Sequence, residues 1–138
     1  MKILNEQTAE ILNENRLEGN VKGKENVEDK LYKSILYQME VEKVYLLPDL
    51  SLVKLSQIVG TNTSYLSKVV NHRFGSNFRT LVNKYRVVYA IGLMRDAGEG
   101  CSIDEVLRQS GFVSRSVFYD AFLRVMGKPP SRCFEEKK

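Results

Sequence analysis

Residues that could build a chemical site are scarce in this sequence of 138 residues. It has one histidine, His72, and two cysteines, Cys101 and Cys133, which stand beside no histidine or carboxylate cluster. Such spacing indicates neither a disulfide framework nor a zinc site, and reduced thiols are expected. No apolar run approaches the roughly 20 residues that would span a bilayer, and the start of the chain is too charged for a secretory signal. A cytoplasmic segment without membrane contact is therefore expected.

Catalytic machinery is missing from the sequence as well. An enzyme needs a nucleophile with a base or a paired acid and base, and a nucleotide site commonly needs a glycine-rich loop. The sequence offers none of these sets, since it has a single histidine and no carboxylate across its middle third. We therefore predict a protein that is not an enzyme and that uses no cofactor and no metal.

Acidic residues are absent from Leu50 to Arg95, although the formal net charge of the whole chain is only +4. This stretch holds seven basic residues, whereas residues 1–49 hold seven basic and ten acidic ones and residues 96–138 hold seven of each. A stretch with one sign of charge can be an ordinary solvated face, but it can also attract a polyanion. Contact with nucleic acid is therefore predicted for the middle third.

Apolar residues recur at helical spacing, and no alternation typical of a strand is sustained. The first pattern predicts an amphipathic helix from Val27 to about Val44 behind the N-cap Asn26. A longer helix is predicted from Asn77 to Arg95. Its apolar stripe is formed by Phe78, Leu81, Val82, Tyr85, Tyr89 and Leu93. Four shorter helices are predicted behind side chains that can accept a hydrogen bond from the first turn, namely Ser51, Asn62, Ser102 and Ser114.

Two of the short helices repeat later in the chain. The stretch from Ser51 to Gly60, with Leu52, Leu55 and Ile58 expected inward, returns as the stretch from Ser102 to Gly111 with an equal span. The stretch 66–75 likewise returns as 118–127, again with an equal span. Each copy therefore reads helix, tight turn, helix.

This pattern is typical of a helix-turn-helix, in which the first helix supports the second and the second lies exposed. Ser56 is predicted where the two helices of the first copy cross most closely, and Leu107 takes that place in the second copy. Ser102 and Glu105 match a capping box at the start of the second copy. The expected fold class is all-α, with two helix-turn-helix subdomains joined by a long linker helix and an extra N-terminal helix.

The outward face of each second helix is predicted to read bases in a major groove. The predicted base-reading residues are Thr63, Ser64, Ser67, Lys68 and Asn71 in the first copy and Arg115, Ser116, Tyr119 and Asp120 in the second. Arg115 suits a guanine, whereas Asp120 would repel phosphates unless it accepts from a cytosine amino group. The predicted phosphate contacts are Lys54, His72, Arg73, Asn77, Arg79, Lys84 and Arg124.

Four stretches, SLVKLSQIVGTNTSYLSKVV, FGSNFRTLVNKYRVVYA, SIDEVLRQSGFVSRSVFYDAF and GKPPS, together resemble the C-terminal DNA-binding domain of the AraC family of bacterial transcription regulators. The resemblance covers about Leu47 to Phe134. The segments YLSKVVN and NFRTLVNKYRVVYA are most similar to the corresponding segments of hybrid two-component or periplasm-sensing regulators of Bacteroidetes. The resemblance implies two helix-turn-helix subdomains that bind successive major grooves on one face of DNA.

The second copy departs from the family pattern. Asp120 replaces a residue that is usually basic, and Leu123 replaces the usual lysine. Cys133 and Phe134 stand where an aromatic residue and an arginine are familiar. We therefore expect the first copy to supply most of the base-specific binding energy, which would make the two units unequal.

The predicted domain organisation follows from these patterns: a connector at 1–24, an N-terminal helix at 25–46, the first helix-turn-helix at 47–76, the linker helix at 77–96, and the second helix-turn-helix with a C-terminal helix at 97–138. The expected function is sequence-specific binding of a double-stranded DNA operator as the output domain of a larger sensor protein. RNA polymerase is an expected partner, and so is a second copy bound through the N-terminal region or a missing sensor domain.

Three alternatives stay open at this point. A helical protein-interaction domain would explain the fold without DNA, and it predicts no salt-dependent binding to duplexes. The first residues can be a vector-derived or disordered tail instead of a connector. The helix that begins at Val27 can either pack on the first unit or mediate dimer contacts.

Overall fold

Six α-helices make up most of residues 25–130, which are the residues that the computed structural model describes, without the side chain of Glu99. In chain order they are α1 (Val27–Glu40), α2 (Leu52–Val59), α3 (Thr63–Phe74), α4 (Phe78–Ala97), α5 (Ile103–Gln109) and α6 (Arg115–Met126). Short 3-10 helices cover Val44–Leu46 and Gly98–Gly100. The predicted all-α class with two helix-turn-helix units is confirmed. The predicted connector, Cys133 and Phe134 lie outside the described residues.

Each α-helix begins where a polar side chain accepts a hydrogen bond from the backbone N–H of its first turn. The six side chains that do this are Asn26, Ser51, Asn62, Asn77, Ser102 and Ser114. These hydrogen bonds confirm the predicted helix starts. The sequence could predict them because N-capping depends on residues only three positions apart. The Glu105 carboxylate does not follow its prediction, since it accepts from Gln109 Nε2 at 3.0 Å, one turn further along α5.

Helix α1 is shorter than its apolar pattern predicts. It ends at Glu40, where the Tyr37 carbonyl accepts from the N–H groups of both Val41 and Glu42. Lys43 then takes a left-handed conformation with φ 54°, and Val44 enters the core from the 3-10 helix that follows. The predicted end near Val44 is wrong, because this side chain is buried by a chain reversal and not by another helical turn.

Two hydrophobic cores share helix α4. The first lies among α1, α2, α3 and the first half of α4, which contributes Leu81 and Tyr85. The second lies among α5, α6 and the part of α4 from Val87 onward, which contributes Val87 and Ile91. The predicted single stripe on α4 is therefore incomplete, since this helix packs against a unit at each end. Ile58, expected inward, is 44% exposed on α2.

Ser56 is buried at the predicted crossing in the first unit. Its hydroxyl donates to the Val53 carbonyl at 2.7 Å, so the polar group is hydrogen-bonded inside its own helix. Leu107 is buried at the corresponding place in the second unit. No helix within residues 25–130 is long and apolar enough to cross a membrane.

Arg86 of α4 joins the two units. Its side chain is buried, with Nε donating to the Tyr45 carbonyl at 2.6 Å and Nη2 donating to the Leu47 carbonyl at 2.9 Å. On the other side, its guanidinium carbon lies 5.7 Å from the ring centroid of Phe112 in the second unit. Burial lowers the pKa of Arg86, but an arginine remains charged in proteins.

Gly111 brings the second unit against this arginine. Its φ is +94°, and a Cβ placed on it would collide with the Tyr45 carbonyl oxygen and lie 2.9 Å from Arg86 Nε. Gly60, its counterpart in the first repeat, has φ +76° but nothing within 4 Å of the equivalent Cβ position. The two glycines therefore share a backbone requirement, and only Gly111 adds a close approach.

We expect Gly111→Ala to destabilise the protein by about 3–5 kcal/mol, because left-handed strain and a steric clash add together. Gly60→Ala is the matched control, and its cost should be about 1–2 kcal/mol because only the backbone conformation is strained. Urea unfolding at neutral pH measures both values. Equal losses for the two variants would show that the close approach at Gly111 has no energetic weight.

Candidate nucleic-acid interface

Helix α3 presents a polar face opposite its buried one. Leu66, Val69 and Val70 are fully buried, which turns the residues between them outward. On this polar face Ser64, Lys68 and Asn71 are exposed, and Thr63 and Ser67 are half-buried beside them. Asn71 Nδ2 donates to the Ser67 carbonyl at 2.8 Å. The helix thus brings together all five predicted base-reading residues of the first unit, and their reading role stays a prediction.

Arg73 does not lie on that open face. Only 8% of its side chain is exposed, and Nη1 lies 3.1 Å from both Glu28 Oε2 and Asp29 Oδ1. Its guanidinium carbon also lies 4.4 Å from the ring centroid of Tyr32. Since two carboxylates and a ring already occupy this group, the structure gives no support to the predicted phosphate contact of Arg73.

Two other predicted phosphate contacts also face carboxylates. His72 is 70% exposed in its side chain, and its Nδ1 lies 2.7 Å from Glu28 Oε2. Lys54 Nζ lies 2.6 Å from Asp49 Oδ2, with 41% of the lysine side chain exposed. Both basic side chains are exposed, so a phosphate could compete with the carboxylate for either of them. Their roles as phosphate contacts stay predictions.

The stretch from 50 to 95 is therefore free of acids in sequence but not in space. Glu28 of α1 forms an ion pair with Arg73, and Asp49 of the loop before α2 forms one with Lys54. Arg86 is buried and donates to backbone carbonyls. Lys68 and Arg79 are exposed, and Lys84 is half-buried. The predicted basic surface is thus smaller than the charge count indicates, since part of that charge holds the fold together.

Glu28 and Asp29 are charged partners of the end of α3. Burial works to raise the pKa of Glu28, but hydrogen bonds from Arg73 and His72 outweigh it and the pKa is lowered. A backbone hydrogen bond from Asn26 and the contact with Arg73 lower the pKa of Asp29. Helix α1 is therefore bound through ion pairs to the last turn of the candidate reading helix.

Asn77 and Arg79 stand where α4 begins. The Asn77 Oδ1 caps the helix by accepting from the Thr80 N–H at 2.8 Å. Both Asn77 and Arg79 are exposed, directly after α3 in the chain. An amide and a guanidinium at this position could donate to a phosphate next to the groove that α3 would enter.

The outward face of α6 differs in charge from that of α3. Arg115, Ser116 and Asp120 are exposed, and Tyr119 is half-buried with its ring against Phe118. The predicted phosphate contact Arg124 is exposed, and its Nε lies 3.1 Å from Asp120 Oδ2.

The other arginine on this face is also paired. Arg115 Nε donates to Asp104 Oδ1 of α5 at 2.8 Å, and this hydrogen bond lowers the pKa of Asp104 and raises that of Arg115. Leu123 adds an apolar group that is 49% exposed on the same helix. Each arginine of the second reading face therefore faces a carboxylate.

Sequence reasoning missed these carboxylate partners. Glu28 and Arg73 are 45 residues apart, and no local pattern connects them. Asp104 and Arg115 are only 11 residues apart, at the starts of successive helices, so the predicted helix-turn-helix could have brought them together. Within residues 25–130, no group of three or more side chains that could hold a metal ion is present.

A family model described as a helix-turn-helix domain matches residues 55–136. The TCP pilus virulence regulatory protein of Vibrio cholerae serotype O1 is 41% identical over 71 residues, which are 51% of this chain and 25% of that protein. The same figures hold for strains O395 and El Tor Inaba N16961. The chain therefore spans about a quarter of the length of these curated relatives.

Two solved structures share the fold. A protein of unknown function from Listeria innocua aligns with a TM-score of 0.66 and 21% identity, over 77% of this chain and 96% of that one. The C-terminal domain of AraT, a response regulator from Geobacillus stearothermophilus, aligns with a TM-score of 0.62 and 21% identity, over 78% of this chain and 84% of that one.

We expect Arg73→Met to lower the free energy of unfolding by about 2–4 kcal/mol, because it leaves two carboxylates without their buried partner. The DNA affinity of the folded variant should stay within about twofold, since this guanidinium is turned away from solvent. Urea unfolding and duplex titration measure the two effects. A large loss of affinity for every duplex, without a loss of stability, would instead show that Arg73 contacts a phosphate.

The stability difference between the wild type and Arg73→Met should depend on pH. Glu28 and Asp29 have lowered pKa values in the fold, so their contribution is present above their ordinary values of about 4 and is lost as the pH falls further. The difference should be full at pH 6 and shrink towards pH 3 in urea unfolding. A difference that is constant over this range would show that Arg73 acts only by packing on Tyr32.

Proposed function

Because this chain belongs to the helix-turn-helix domain family, in its AraC-type DNA-binding form, we propose that it reads double-stranded DNA with two units in successive major grooves. The family is one of DNA-binding transcription regulators and not of enzymes. In this proposal α3 is the reading helix of the first unit and α6 that of the second. By binding a DNA operator in this way, the chain would regulate transcription.

The polar face of α3 is the observation that carries this proposal. Ser64 and Lys68 lie one turn apart on a helix whose opposite side is fully buried, so they can enter a groove without disturbing the core. Short hydroxyls and an ammonium group can donate to the acceptors that base edges present in a major groove. We assign base reading in this unit to Ser64, Ser67 and Lys68, with Thr63 and Asn71 at the edges.

The length of α4 supports reading by both units. This helix has 20 residues, which corresponds to about 30 Å at about 1.5 Å per residue. Successive faces of the major groove are roughly 34 Å apart, so a helix of this length suits two reading units on one side of DNA. Arg79 and Lys84 near its start are assigned to phosphates, together with Lys54, His72, Asn77 and Arg124.

The second unit is assigned a smaller share of the affinity. Its reading residues are Arg115, Ser116, Tyr119 and Asp120, and both of its outward arginines face carboxylates. A phosphate that approaches α6 must therefore compete with a carboxylate that is already in place. The first unit would then supply most of the binding energy.

The larger context of the chain is also part of the proposal. Matched relatives are named a regulatory protein and a response regulator, and the chain spans only about a quarter of the former. We propose that this segment is the output domain of a sensor regulator of the Bacteroidetes hybrid two-component type. In that setting RNA polymerase and a second copy of the chain would be its partners.

We expect Lys68→Ala to weaken binding to a selected duplex about tenfold and to change base preference, because a base contact is lost. Arg79→Ala should weaken selected and scrambled duplexes alike and reduce the salt slope by about 1, because a phosphate contact is lost. Lys30→Ala removes an equal charge from the exposed side of α1 and serves as the control. Fluorescence titration of both duplexes at several salt concentrations measures these effects.

Two results would contradict this assignment. Equal losses on both duplexes from Lys68→Ala would rule out a reading role for Lys68. Wild-type protein that binds no duplex in a salt-dependent way would favour a helical protein-interaction domain instead.

A further inference from the structure

Asp104 and Arg115 meet across the turn of the second unit. Asp104 is the second residue of α5 and Arg115 is the first residue of α6. The carboxylate oxygen Oδ1 accepts from the arginine Nε at 2.8 Å. Their side chains are 60% and 63% exposed, so the pair lies at the surface beside the reading face.

The fold does not require this ion pair. In the first unit the repeat places Val53 where Asp104 stands and Thr63 where Arg115 stands, and that unit forms the same two helices. An exposed ion pair also adds little to stability. A cation in the first turn of a helix is unfavourable for the helix dipole, so Arg115 is placed against local preference. These facts favour a role for the pair outside folding.

The geometry of the pair suits the recognition of one base. Guanine offers two acceptors, O6 and N7, side by side in the major groove, and arginine can contact both through two N–H groups. Asp104 uses Nε, which leaves the terminal nitrogens Nη1 and Nη2 for a ligand. A guanidinium held in place before binding also loses less conformational freedom when it binds.

A second carboxylate on this face has a different partner. Asp120 lies further along α6 and pairs with Arg124 one turn away, with its Oδ2 3.1 Å from Nε. Each carboxylate therefore has its own arginine, and Asp104 is the one that contacts the arginine at the start of the reading helix. This separates the role of Asp104 from that of Asp120.

We propose that Asp104 is a positioning residue for specificity, which holds Arg115 through Nε so that Nη1 and Nη2 read a guanine in the second half of the DNA site. This inference rests on the proposed function and names one base that the second unit recognises. It gives that unit a role in selectivity although its face is poor in unpaired positive charge.

The test begins with a selection of tight-binding duplexes by the wild-type chain, followed by the variants Arg115→Ala, Asp104→Ala and Asp104→Asn. Arg115→Ala should lower the preference for guanine at one position about 10- to 100-fold. Asp104→Ala should lower the preference at that same position about tenfold, and Asp104→Asn should lie between it and the wild type. Replacing that guanine by 7-deazaguanine, which lacks N7, should weaken the wild type but not Arg115→Ala.

Glu105→Ala is the matched control. Glu105 lies in the same first turn of α5 and carries the same charge, but its carboxylate faces Gln109 and Arg108. It should leave the guanine preference within about twofold, because charge removal alone does not release Arg115. The double variant Asp104→Ala with Arg115→Ala should lose no more preference than Arg115→Ala alone. Thermal unfolding of each variant verifies that it is folded.

A measurement without DNA tests the pair itself. The Nε–H signal of Arg115 should exchange slowly with solvent in nitrogen NMR of the wild type and rapidly in Asp104→Ala. An unchanged signal would overturn the pairing.

Two binding results would also overturn the proposal. If Asp104→Ala binds all duplexes more tightly and keeps the guanine preference, Asp104 only repels DNA. If the wild type selects no duplex at all, the proposed function fails and this inference fails with it, whereas selective binding with an unaffected preference in Asp104→Ala overturns the role of Asp104 alone.

Discussion

The arrangement of the two units depends on the buried guanidinium of Arg86. A buried cation is costly unless its N–H groups are satisfied, and here the carbonyls of Tyr45 and Leu47 accept from it. Those carbonyls belong to the chain reversal after α1, while the ring on its other side, Phe112, belongs to the second unit. The guanidinium thus ties both units to the middle of α4. Since α4 also contributes to both cores, the spacing of the two reading helices follows from this one helix and its arginine.

Positive charge has two uses in the first unit, and the structure separates them. Arg73 and Arg86 are the internal cations, which bind α1 and the chain reversal to the rest of the unit. Lys68 and Arg79 are the external ones, on the reading helix and at the start of α4. Internal cations contribute to stability and are screened from DNA, whereas external cations can exchange their counterions for phosphates. A net charge of +7 over this stretch therefore overstates the charge that DNA would meet.

The sequence predicts what depends on neighbours and misses what depends on distant contacts. Helix starts follow from a capping side chain and an N–H three residues later, so all six were predicted, and the outward face of α3 follows from helical spacing alone. The sequence does not indicate the end of α1 at Glu40, because the position of the apolar Val44 after Met39 fits both a further helical turn and a chain reversal that buries the same side chain. The burial of Arg73 was missed because its partners lie more than 40 residues away, on a helix whose docking site no local pattern indicates.

The difference between the units lies in where each keeps its carboxylates. In the first unit Glu28 meets the last turn of α3 and Asp49 pairs with Lys54 of α2, so these carboxylates face residues other than Lys68 and its neighbours on the polar face of α3. In the second unit they stand on or beside the reading face itself, as Asp104 and Asp120. A carboxylate next to a groove repels the phosphates of every DNA sequence and so lowers the affinity for all of them. The net loss is smallest for the sequence whose base is contacted by the arginine that the carboxylate holds. Under the proposed function, the first unit would therefore contribute most of the affinity and most of the base contacts, whereas the second would add discrimination at one base, although both have the same backbone plan.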